Sequence, residues 1–102
     1  MARRIARAVV EQHLAACVNV VCSPMESFYT WKGRLESARE QLLIIKTTAN
    51  RLSLLEREVR RLHSYDVPEF VALPITGGSL QYLAWLGETS AARSTEARAA
   101  NR

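Results

Sequence analysis

This 102-residue chain predicts an α+β fold built around one long β-hairpin. Three observations carry that reading. Tyr29-Thr30-Trp31 runs as an aromatic strand into Lys32-Gly33, and the chain returns through the apolar run Leu42-Leu43-Ile44-Ile45. Apolar residues recur at helical spacing before this segment (Ile5, Ala8, Val9) and after it (Leu52, Leu55, Val59, Leu62). If the hairpin starts near Cys17 and ends near Thr47, each arm has about 14 residues, against the usual 5–6. A single domain of this size has no core wide enough to cover such arms. The hairpin is therefore expected to project and to find its partner on another copy of the chain.

Each element follows from local chemistry. Residues 2–16 are expected as a helix with Ile5, Ala8, Val9 and Gln12 on one face, opening without a Ser, Thr, Asp or Asn cap. Pro24 is expected at a bulge or bend of the first arm, because it cannot donate to a central ladder. Thr48 or Asn50 is placed to cap a second helix. Pro68 pushes Val67 out of the helical region, and Glu69-Phe70-Val71-Ala72-Leu73 reads as a short strand buried on both faces. Gly77-Gly78 breaks it, and Ser79 caps a last helix carrying Leu80, Leu83 and Leu86 beside Tyr82 and Trp85. Residues 1–88 form the expected domain and 89–102 a frayed or disordered tail. The order helix, strand, strand, helix, strand, helix is that of a ferredoxin-like split βαβ domain without its opening strand.

Composition narrows the function classes. The net charge is +4, and the stretch from Thr89 holds half of it through Arg93, Arg98 and Arg102 against Glu96. Arg57, Arg60 and Arg61 alternate with Glu56 and Glu58, which reads as a solvated helix face rather than a nucleic-acid surface. An RNA-binding module would need exposed sheet aromatics with basic neighbours, and ranks last. No apolar run approaches the ~18–20 residues that span a membrane. The basic start, Met1 to Arg7, has no apolar signal core behind it, and the protein is read as cytosolic, with reduced thiols. Cys17 and Cys22 are five residues apart on one expected strand, so they point to opposite faces and cannot pair there. Core packing is expected for both.

Candidate chemistry is sparse. His63 closes the second helix, where the helix terminus favours a cation and imidazole suits copper; the competing reading is a simple helix cap. Cys17 is a second candidate ligand, and Cys22 a weaker one. His13 reads as a surface residue. Glu69 opens an otherwise apolar strand and must be paired or solvated, with Lys46 or an arginine as partner. It is either an inter-subunit ion pair or a pocket carboxylate. No phosphate-binding glycine loop or nucleophile–base pattern stands out, so an enzyme is not expected.

Five motifs stand in register: Ala15-Ala16-Cys17-Val18-Asn19, Tyr29-x-Trp31-x-Gly33, Ile45-Lys46-Thr47, His63-x-Tyr65-x-Val67-Pro68-Glu69 and Tyr82-Leu83-x-Trp85. In order and spacing they resemble the CutA family, the divalent-cation tolerance proteins. The resemblance implies a ferredoxin-like fold and a tight homotrimer built by the hairpins, similar to the PII signalling proteins. It also implies binding of copper(II) or another divalent cation, with no nucleic acid and no membrane as partner. Tyr29 and Trp31 are then expected at the trimer interface, and Tyr65, Glu69, Lys46 and Trp85 near subunit clefts. The alternative is a PII-like regulatory trimer holding a small metabolite there. Ser64 stands where the family usually has Pro, and Leu62 where it has a second His. The family's first strand, with its cysteine, should precede Arg3. The expectation is a natural product that begins upstream of Met1; the alternative is a sheet rearranged or completed by another chain.

Overall fold

The computed structural model describes residues 1–64 and 68–91. Helix α1 (Ala2–Glu11) is followed by strands β1 (Cys17–Val20), β2 (Met25–Trp31), β3 (Arg34–Glu40) and β4 (Leu43–Lys46), then helices α2 (Leu52–Leu62) and α3 (Leu80–Thr89).

The hairpin forms as two antiparallel ladders in series. The inner one pairs Cys17 with Lys46 and Val20 with Leu43; the outer one pairs Met25 with Glu40 and Trp31 with Arg34. Between them the Val21 amide donates to the Leu42 carbonyl at 2.9 Å, so Cys22, Ser23 and Pro24 lie opposite Gln41 alone. This is the bulge expected at Pro24. At the tip, Lys32 and Gly33 have φ of 52° and 77°. Positive φ at both centres of a two-residue loop matches the twist of the flanking strands, and glycine takes it without strain.

The core lies between the helices and the inner ladder. Ile5 and Val9 of α1 meet Leu55, Val59 and Leu62 of α2, with Leu14 and Ala15 closing the cluster and Val18, Leu43 and Ile45 packed beneath. Because strand side chains alternate, this leaves Cys17, Asn19, Ile44 and Lys46 on the far face of the inner ladder. Polar contacts tie the helices to each other and to the hairpin. The Gln12 amide and the Arg61 guanidinium both donate to the Glu58 carboxylate. Thr47 Oγ1 donates to the Leu14 carbonyl at 2.6 Å.

Several expectations need correction. Helix α1 stops at Glu11 rather than residue 16, because His13 adopts φ 57° and turns Leu14, Ala15 and Ala16 into the core. Thr48 and Asn50 do not cap α2: the Thr48 hydroxyl donates to Asn50 Oδ1, and a 3-10 turn (Ala49–Arg51) leads into the helix. Neither cysteine joins the core, since Cys17 is half-buried and Cys22 exposed. The strand expected at Glu69–Leu73 does not form, and residues 68–79 carry no regular structure. Strands exist through their partners, and no described strand lies beside this segment; Phe70 alone turns towards the core, while Val71 and Leu73 are 74% and 84% exposed. Ser79 does cap α3, accepting from the Tyr82 amide at 3.3 Å.

The stretch expected to be frayed begins inside α3. The Thr89 carbonyl lies 3.1 Å from His13 Nδ1, and Ser90 is fully buried; residues 92–102 lie outside the described ones. Removing 89–102 is expected to lower the melting temperature by roughly 4–8 °C, the shift for about 1 kcal/mol in a chain of this size. Calorimetry of the truncated chain checks it, and an unchanged melting temperature would show that the Thr89 and Ser90 contacts add nothing.

A second prediction concerns pH. Hydrogen bonds from Arg61 and Gln12 hold the Glu58 carboxyl below its ordinary value of 4.5. A carboxyl depressed in the folded state contributes stability above its unfolded pKa and loses it as pH falls through the folded one. The stability advantage of the wild type over Glu58→Gln should therefore be full at neutral pH and close progressively below 4.5. Urea melts across that range measure it; a pH-independent gap would remove Glu58 from the linkage.

Candidate functional site

The two candidate metal ligands lie at opposite ends of the inner ladder. His63 follows α2 in extended conformation, with its amide bonded to the Val59 carbonyl at 2.9 Å. It lines a cleft of about 210 Å³ with Ile5, Pro24, Arg39, Glu40 and Leu43. Cys17 sits across from Lys46, three residues along from the Val20–Leu43 pair, about 10 Å at strand rise. Lys46 Nζ approaches Cys17 Sγ at 3.8 Å, so the thiol has an ammonium neighbour and not an imidazole. Among the described residues, no three His, Cys, Asp or Glu side chains form a group that could hold a metal ion. The described residues of one chain therefore do not assemble the donor set that a copper site requires.

The second constellation is also dispersed. Lys46 faces Cys17, and no Lys46–Glu69 ion pair forms among the described residues; Glu69 is exposed. Glu69 stands on a segment without regular structure, so within one chain nothing fixes its direction towards Lys46. Trp85 stacks on Tyr82 within α3, with ring centroids 5.6 Å apart and planes tilted by 41°, and both are half-exposed. Tyr65 lies outside the described residues.

The hairpin's outer ladder leaves apolar side chains unburied on both of its faces. Tyr29 and Trp31 share one face, and both are exposed. Phe28 and Leu35 lie on the opposite face, 67% and 78% exposed. An isolated two-stranded ribbon is marginal in water, and one that exposes aromatic or aliphatic groups on both faces has the character of an interface. No described helix is long and apolar enough to cross a membrane.

His13 is the residue whose role went unread. It is half-buried, its ring nitrogen meets the end of α3, and its carbonyl accepts from Arg51 Nε at 3.3 Å. Its left-handed backbone ties α1, α2 and α3 at one point. No local pattern announces this, since the partners lie 38 and 76 residues away.

Comparison with known proteins agrees with this architecture. Residues 1–89 match the family model of the CutA1 divalent ion tolerance protein. The divalent-cation tolerance protein CutA of Thermus thermophilus is 48% identical over 90 residues, 88% of this chain and 86% of the relative. The solved Thermus thermophilus structure superposes with a TM-score of 0.84, 49% identity, and coverage of 86% of this chain and 84% of that one. The PII-like protein CutA from Nostoc gives a TM-score of 0.80 at 32% identity, covering 89% of this chain and 88% of that one. The ferredoxin-like α+β assignment stands on these neighbours. The chain spans about half the length of the chloroplast relatives from Arabidopsis thaliana (51% identical, 46% of its length) and rice (49% identical, 47%).

Those names also overturn the cytosolic reading. The two plant relatives are called chloroplastic, and the solved Archaeoglobus fulgidus relative, at 40% identity, is called periplasmic. Compartment is written in targeting segments and not in the composition of a folded core, which is why this chain's residues misled on that point. On the family match and the Thermus thermophilus identity together, the chain belongs to the CutA1 divalent ion tolerance family.

Proposed function

We propose that this protein acts in divalent-cation tolerance as a homotrimer clasped by its hairpins, binding ions rather than catalysing a reaction. The observation that carries the assembly is the two-sided apolar ribbon from Met25 to Glu40, whose Phe28, Tyr29, Trp31 and Leu35 are all exposed in a single chain. Another copy supplies the missing cover without a second gene product. The names of the Thermus thermophilus and Archaeoglobus fulgidus relatives support the tolerance role.

For the ion, His63 is the leading donor, with Glu40 lining the same cleft. Two donors fall short of the three or four protein ligands that hold a tight site. A tight copper(II) site therefore needs a further donor, which a second copy of the chain can supply, while Cys17 is held by Lys46 at the other end of the ladder. The second reading, favoured by the PII-like description of the Nostoc relative, is a regulatory trimer with a small metabolite in clefts near Glu69, Tyr65, Lys46 and Trp85. Under either reading residues 1–88 are the working domain.

Trp31→Ala should weaken assembly, because truncating a central aromatic anchor typically costs about 2–4 kcal/mol. Light scattering at low micromolar concentration reads this, and an unchanged trimer would take Trp31 out of the interface. For the ion, calorimetric titration with copper(II) is run beside His63→Ala. One saturable site per subunit, lost in the variant, is the expected result. Equal, weak binding in both proteins would overturn the metal assignment and leave the metabolite reading.

A further inference from the structure

A cleft of about 410 Å³ opens where the end of α1 meets the outward stripe of α2. Neither His63 nor a hairpin residue lines it. Leu14 and Leu54 contribute its apolar lining; Arg51, Arg57 and Arg61 line it with positive charge, and Glu11, Gln12 and Glu58 complete it. The volume falls within the range of small-molecule sites.

Both lining carboxylates are already engaged. Glu11 pairs with Arg7 at 3.6 Å, and Glu58 accepts from Gln12 and, through both oxygens, from Arg61. The Glu58 side chain is 12% exposed, whereas Arg61 is 65% exposed. The partly covered carboxylate therefore orients a largely accessible guanidinium. Only Nε and one Nη of Arg61 are used, and a guanidinium has five N–H donors. Arg57 stands four residues earlier on the same helix, has no ion-pair partner among the described residues, and is exposed. Like charges at that spacing repel in an empty site, and an anion between them would turn the repulsion into attraction. Since Glu58 already fixes the Arg61 fork, little ordering remains to be done on binding.

We propose that this cleft binds a small organic anion, its carboxylate or phosphate group clamped by Arg57 and Arg61 and its apolar body laid on Leu14 and Leu54. Arg61 is the preorganised donor and Arg57 the adaptable one. Arg51, buried and bonded to the His13 carbonyl, closes one end of the cleft.

The test is an amide-detected NMR titration of the full chain with benzoate, phenyl phosphate and inorganic phosphate, repeated on Arg57→Gln. Arg57 lies outside the core, so the variant is expected to keep the wild-type spectrum elsewhere. Saturable shifts should centre on Gln12, Leu54 and Arg57. Phenyl phosphate should bind more tightly than inorganic phosphate, and Arg57→Gln should weaken it about tenfold, the loss typical of one charge-assisted hydrogen bond. Benzoate saturating alone would fix the head group as a carboxylate, and phenyl phosphate alone as a phosphate. Absence of saturation with every probe, or equal binding by the variant, would overturn the site. Inorganic phosphate binding as tightly as phenyl phosphate would overturn the role given to Leu14 and Leu54.

Discussion

The inner ladder is the constraint on which the rest of the molecule depends. Four residue pairs, Cys17–Lys46 to Val20–Leu43, set two faces of opposite character. The face with Val18, Leu43 and Ile45 receives both helices, and the core exists because that register points apolar side chains at Ile5, Val9, Leu55 and Val59. A slip of one residue would exchange the two faces and replace this apolar set with Asn19, Lys46 and their neighbours. The same register puts Cys17 beside Lys46 and leaves His63 at the opposite end. The inner ladder thus decides which chemistry a single chain can assemble, as well as what it buries.

The helices complete the domain through a mixture of packing and fixed polarity. Ile5, Val9 and Leu55 are almost fully buried, and burial of such side chains is worth about 1.5–3 kcal/mol each. Beside that apolar seam, Gln12, Glu58 and Arg61 join the end of α1 to the last turns of α2. A hydrogen-bonded carboxylate at a helix–helix border costs little where its partners satisfy it, and it fixes the alignment of the two helices more narrowly than aliphatic contacts alone. His13 serves a similar end through the backbone, closing α1 and meeting both Arg51 and the end of α3.

What could be read from the residues was what local chemistry determines. The hairpin was legible because an aromatic run, Lys32-Gly33 and a β-branched run follow one another, and because Pro24 announces an interruption. The α2 stripe and the Ser79 cap were legible for the same reason. The end of α1 was not, since it depends on His13 accepting a left-handed backbone to serve partners far along the chain. The Glu69–Leu73 segment was misread because apolar, β-branched composition specifies readiness to pair and says nothing about whether a partner is present. The candidate site was the least legible part: His63 and Cys17 are each plausible donors by residue type, but their separation is set by non-local pairing.

The bulge at Cys22–Pro24 makes the hairpin a jointed arm. Three residues opposite one interrupt the hydrogen-bond ladder and add local twist, so the outer ladder can take a direction of its own while the inner one stays bound to the helices. Its length also acts as a phase setting. Removing one residue from the bulge together with Gln41 opposite it would rotate the outer ribbon by half a strand period and present Phe28 and Leu35 where Tyr29 and Trp31 now face. The reach of the arm would barely change, yet the surface offered to a neighbour would be a different one.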